Sequence, residues 1–124
     1  MSQTPAPSAQ RLWRRWRKTV NSMRISVRLG KHIPEHAADL LRRRLEFALS
    51  RFSARVRQVS ARVADRNGPR GGIDKSCVVT LLLERSTRPI VIEDIDVDPM
   101  VAIDRAAERA GRTVARTLSR RLDR

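Results

Sequence analysis

Met23-Arg24-Ile25-Ser26-Val27-Arg28-Leu29-Gly30 is the stretch on which the reading of the fold turns. Apolar residues at 23, 25, 27 and 29 alternate with Arg24, Ser26 and Arg28, so successive side chains fall on opposite faces of a half-buried strand that ends at Gly30. Four residues later the period changes. Pro34 suits a first helical turn, and Ala37, Leu41, Leu45, Ala48 and Phe52 recur at helical spacing, which predicts a helix from about Pro34 to Phe52. Val59, Ala61 and Val63 return to a period of two, followed by Asp65-Arg66-Asn67-Gly68-Pro69-Arg70-Gly71-Gly72, a long hairpin connection. Cys77, Val79, Leu81 and Leu83 share one face of a third strand, and Ile90 with Ile92 mark a fourth. Asp98 before Pro99 reads as a cap ahead of a first-turn proline, opening a last helix that runs to about Leu122.

The order βαβββα predicts an α+β fold: a two-layer sandwich with a four-stranded mixed sheet and two helices on one face, the first βαβ step a right-handed crossover. The other sheet face then carries Arg24, Arg28, Gln58, Ser60, Arg62 and Thr80, with Val78, Leu82 and Val91 among them. Those three apolar residues form a candidate patch for weak self-association, although scattered apolar surface is ordinary.

Charge bounds the partners. The 124 residues include 27 basic and 13 acidic ones, a formal net charge of +14, and all the basic residues except Lys18, Lys31 and Lys75 are arginines. Arginine matches phosphate oxygens with a planar fork of donors and stacks on bases, so this composition points to RNA more than to solubility in general. Residues 1–22 form a separate basic tail with Arg11, Arg14, Arg15, Arg17 and Lys18, no acid, and both tryptophans; residues 23–124 form the folded domain, one core's worth of chain. The tail lacks the long apolar core and cleavage site of a secretory signal, and a transit peptide is the lesser reading of its arginines. Leu12, Trp13, Trp16 and Val20 would share one side of a short helix there, a pattern that also suits an anionic membrane surface. The chain has no apolar run of bilayer length, and its single cysteine, Cys77, allows no intrachain disulfide; the expectation is a cytoplasmic protein without a membrane partner.

The sharpest signal lies in the last helix. At about 100° per residue, Ile103, Ala107, Ala110, Val114 and Leu118 fall on one side and Arg105, Arg109, Arg112, Arg116 and Arg120 on the other. A solvated face commonly mixes signs to gain pairs one turn apart; a stripe of arginines with few acids among them sets like charges side by side, a cost that a phosphate backbone would relieve. Arg42, Arg43 and Arg44 on the first helix, with Arg51 on the stripe of Arg44, add to this surface, as do Arg66, Arg70 and Lys75 around the hairpin. Leu40 and Phe47 lie beside the Arg44 stripe, either packing against the last helix, the preferred reading, or offering a stacking surface to a base. His32 and His36 have the spacing of helical metal ligands but no third ligand nearby, and Asp94, Asp96 and Asp98 imitate a calcium loop in which Pro99 stands where glycine is required and Arg105 where a glutamate is required. Those acids read instead as a strand end and a helix cap, and Cys77 as inert core filler. With no nucleotide-binding loop, dinucleotide fingerprint or triad, the reading is not an enzyme, with neither metal nor cofactor.

The segments from Arg51-Phe52-Ser53 through Asn67-Gly68-Pro69-Arg70-Gly71-Gly72-Ile73-Asp74-Lys75-Ser76-Cys77, and Ala102-Ile103-Asp104-Arg105-Ala106-Ala107, resemble the bacterial family of ribosome hibernation-promoting factors and ribosome-associated translation inhibitors, in its short form. The resemblance spans about Met23 to Arg120 and implies the same βαβββα fold. It also implies a protein that, in stationary phase or starvation, binds small-subunit rRNA between head and body and covers the messenger and tRNA sites. The family's helix-borne basic positions fall on Arg109, Arg112 and Arg116, and on Arg44 and Arg51. The hairpin is longer than in the best-known short members, and the tail is not a family feature. The last helix is not followed by the extra domain with which long members pair ribosomes, so ribosome dimerisation is not expected. A module for double-stranded RNA or nucleic acid in general is the alternative.

Overall fold

A computed structural model describes residues 23–66 and 75–122. Strand β1 spans Arg24–Leu29, helix α1 His36–Leu49, β2 Val56–Asp65, β3 Lys75–Leu83, β4 Ile90–Asp96 and helix α2 Pro99–Leu122. This is the βαβββα order that the alternating periods predict.

The four strands lie in the order β1-β2-β3-β4. Strands β1 and β2 are parallel, with Ile25 beside Val59 and Leu29 beside Val63, whereas β2, β3 and β4 are joined antiparallel. In this register Val59, Leu81 and Ile90 align across the sheet, as do Ala61, Val79 and Ile92, so one face is a continuous apolar surface. Alternation along each strand then fixes which side chains it buries: Val59, Ala61 and Val63 from β2, Cys77, Val79, Leu81 and Leu83 from β3, and Ile92 from β4. The opposite face carries Arg24, Arg28, Gln58, Ser60 and Arg62 in the open, with Val78, Thr80 and Leu82 half-buried and Val91 exposed.

Helix α1 closes one half of that apolar face with Ala37, Leu41, Leu45 and Leu49, four residues apart and all fully buried. It begins two residues after Pro34 and gives way at Ser50–Phe52 to a short 3-10 turn, so the helix expected to reach Phe52 ends three residues early. Ser50 Oγ donates to the carbonyl of Phe47 at 3.2 Å, a local bond of the kind by which serine competes with the helical ladder. Helix α2 covers the other half, packing on α1, β3 and β4. Asp98 opens it as expected, its Oδ1 accepting the N–H of Met100 at 2.9 Å, while Asp96 Oδ2 accepts that of Asp98 at 2.9 Å.

The two helices run side by side in the same sense, Arg44 opposite Asp104 and Ala48 opposite Gly111. Glycine inside a helix normally costs about 1 kcal/mol relative to alanine. Here a Cβ on Gly111 would fall 3.0 Å from the carbonyl oxygen of Ala48 and 3.4 Å from its Cβ, so the missing side chain is what allows the close approach. Gly111→Ala is accordingly expected to forfeit the usual gain in helix propensity and lower the melting temperature. A rise of about 4 °C or more, the equivalent of that gain in a domain of this size, would show that the helices have room to spare.

Candidate nucleic-acid interface

All five arginines of the α2 stripe, Arg105, Arg109, Arg112, Arg116 and Arg120, are exposed, opposite a core stripe in which Ile103, Ala107, Ala110, Val114 and Leu118 are buried. The stripe divides into two parts. Arg105 Nη1 lies 3.3 Å from Asp96 Oδ1 and 3.9 Å from Asp94 Oδ1. Arg109 Nη1 donates to the carbonyl of Glu93 at 2.7 Å and to Asp94 Oδ2 at 3.3 Å, and Arg112 Nη1 to Glu108 Oε1 at 2.8 Å. Among the described residues, neither Arg116 nor Arg120 has a carboxylate partner.

This corrects the expectation of uncompensated like charge along the whole stripe. Glu108 stands one turn before Arg112 on α2 itself, whereas Asp94 and Asp96 stand on β4, where they were legible only as a strand end and a helix cap. Asp96 serves both purposes, one oxygen on the cap and the other on Arg105. The pairs leave the arginines usable: a guanidinium has five donors, the contacts above use only Nη1, and exposed ion pairs contribute about 0–1 kcal/mol, little enough to exchange for phosphate.

On α1 the three consecutive arginines go to three places, because successive residues point about 100° apart. Arg42 turns to the sheet and donates to the carbonyl of Ile25 at 2.8 Å, while Arg43 reaches back to that of Asp39 at 3.4 Å. Arg44 faces α2, where its Nε lies 3.1 Å from Asp104 Oδ1. Arg51 sits over the ring of Phe52, 4.7 Å from its centroid, a cation–π contact, and has no carboxylate partner among the described residues. Arg44, Arg51 and Arg112 line a single groove of about 470 Å³ between the helices. The structure thus joins Arg44 and Arg51 from the α1 segment and Arg112 of α2 around one groove. Phe47 lines the same groove and is 84% exposed, which overturns the expectation that it packs against α2, whereas Leu40 packs at the margin of the core.

The hairpin residues are less uniform. Lys75, expected on the RNA-binding surface, is only 18% exposed and pairs with Asp65 at 3.3 Å, so its charge is held at the base of the hairpin. Arg66 pairs with Glu93 on the open face of the sheet. Arg70 and the basic tail, residues 1–22, lie outside the described residues. Among the described residues, no three of His, Cys, Asp and Glu are grouped to hold a metal, and no helix is long and apolar enough to cross a membrane.

Cys77 is fully buried in β3, and burial, with a smaller contribution from the charge of Asp94, pushes its thiol up to about 12. Because the folded state disfavours the thiolate, stability from this group is complete below the ordinary value of 9.0 and is lost as pH rises toward 12. Native chain at about pH 8 should therefore be alkylated by iodoacetamide no faster than it unfolds; rapid labelling of folded protein would contradict the buried, neutral thiol.

No family model and no curated protein sequence matches the chain. Solved structures do. The N-terminal domain of Protein Y from Thermus thermophilus superposes with a TM-score of 0.59 at 19% identity, over 77% of this chain and 99% of that one. A ribosomal subunit interface protein from Coxiella burnetii gives 0.58 at 14% identity, over 78% and 99%. At such identities the likeness is one of backbone architecture, and it covers nearly the whole of both neighbours: this chain has the fold of the Protein Y N-terminal domain and of the ribosomal subunit interface protein.

Proposed function

We propose that this chain is a ribosome-associated translation inhibitor that binds small-subunit rRNA across the messenger and tRNA sites during dormancy, acting in the cytoplasm by occupying a surface and not by catalysis. The observation that carries the reading is the continuity of the arginine surface, from Arg44 and Arg51 on α1 across the groove to Arg112, Arg116 and Arg120 on α2. Support comes from a fold shared with a protein described as a ribosomal subunit interface protein, and from the family resemblance of the sequence. The physics agrees with a large structured RNA as partner. Guanidinium groups on two rigid helices present donors at fixed spacing to a fixed array of phosphates, so little ordering is required on binding. Arg105 and Arg109 contribute to the same face after exchanging Asp94 and Asp96 for phosphate oxygens.

Arg116 and Arg120 provide the cleanest test, because they have no carboxylate partner among the described residues. Arg116→Glu combined with Arg120→Glu should keep the melting temperature within about 4 °C of the parent, as expected of surface changes worth about 0.5 kcal/mol each. Co-sedimentation with purified small subunits should weaken on the order of 100-fold, two charge-assisted contacts being lost. Binding that survives at physiological salt would place the interface elsewhere. Free duplex RNA that displaces the chain as readily as intact subunits do would instead favour the general duplex-RNA module.

A further inference from the structure

We infer that the groove between α1 and α2 is a seat for one unpaired nucleotide of an RNA strand, its base stacked on Phe47; this rests on the RNA-binding reading above and adds a residue that carries no charge. An aromatic ring 84% exposed on a structured helix gains nothing from burial in the free protein. Its surroundings are those of a stacking platform. Arg44, one turn before it, and Arg51, one turn after, line the same groove, and Arg112 stands on the opposite wall. The floor consists of the small residues Ala48, Ala107 and Gly111, which leave a trough of about 470 Å³, within the range of about 300–1,000 Å³ that accommodates small organic groups.

The charges orient the occupant. Asp104 and Glu108 lie along the groove, held by Arg44 at 3.1 Å and Arg112 at 2.8 Å, where carboxylate oxygens repel a phosphate but accept N–H donors from the edge of a base. Arg51 lines the groove with its guanidinium on the Phe52 ring and, among the described residues, no carboxylate to neutralise it, the position suited to the nucleotide's phosphate. A duplex keeps its bases stacked on one another and offers no free face to Phe47, so the occupant is a base from a loop, bulge or single strand. An aromatic side chain of a protein partner would fit the floor but bring no anion to Arg51.

The test uses the full-length chain with Phe47→Ala, Phe47→Leu and Phe47→Trp, read by binding to single-stranded octamers of A and of U, and in parallel by co-sedimentation with small subunits. Stacking predicts that Ala and Leu weaken octamer binding by about 5- to 150-fold, that Trp retains it, and that the salt dependence stays that of the parent, since no phosphate contact is removed. Melting temperatures should not move, the side chain being exposed. Leu binding like the parent, Ala having no effect, or neither octamer binding the parent overturns the proposal. The two readings fail separately. Subunit binding of the parent with no effect of Phe47→Ala on either RNA removes the nucleotide seat and leaves the ribosome reading; Phe47-dependent octamer binding without subunit binding does the reverse.

Discussion

The approach of Gly111 to Ala48 is the contact on which the basic face of the two helices depends. The sheet could be covered by two helices at many separations, and a larger residue at either position would still allow an apolar core. What the small pair sets is the distance between the arginines of α1 and those of α2. With the helices this close, Arg44 reaches Asp104, and Arg51 and Arg112 stand on the walls of one groove. Separated by another methylene or two, the same residues would form two basic strips with a gap between them, each less able to follow a single RNA backbone.

Four of the helix arginines, Arg44, Arg105, Arg109 and Arg112, have carboxylate partners, and this changes what their number means. Net charge attracts a polyanion at a distance, but at contact each guanidinium is already fixed by a neighbour: Arg105 and Arg109 by the acids of β4, Arg112 by Glu108, Arg44 by Asp104. Such pairs add little stability at an exposed site, yet they restrict long side chains that would otherwise lose conformational freedom on binding. Among the described residues Arg116 and Arg120 have no such restraint and supply uncompensated field. The face therefore combines pre-set donors at one end of α2 with free charge at the other.

The fold was largely legible in the sequence because burial acts through period. Alternation at Ile25, Val27 and Leu29 and again at Val59, Ala61 and Val63, and the two stripes of α2, follow from one-sided contact with a core and needed no partner to be identified. The open sheet face was readable for the same reason. What escaped were contacts between elements, which no period along one element records. Asp94 and Asp96 look local, and only the fold brings them under Arg105 and Arg109. Phe47 sits where a helix–helix packing residue is reasonable, yet it stays exposed on the groove. Lys75 is basic and beside a glycine-rich turn, but the register that aligns it with Asp65 withdraws it from the surface. The early end of α1 coincides with Ser50, whose hydroxyl bonds back to the carbonyl of Phe47.

The pairing of α2 with β4 bears also on how the molecule behaves among its own copies. Strand β4 is an outer strand of the sheet, and an outer strand is a row of main-chain groups that a neighbouring chain can extend. In β4 the carbonyl of Glu93 already accepts from Arg109, and Glu93, Asp94 and Asp96 place ionised groups along the strand. A second strand would have to displace an arginine and bring its own backbone against three carboxylates. The arginine stripe, considered from the sheet and not from the solvent, is a guard that keeps the sheet at four strands in a crowded cell.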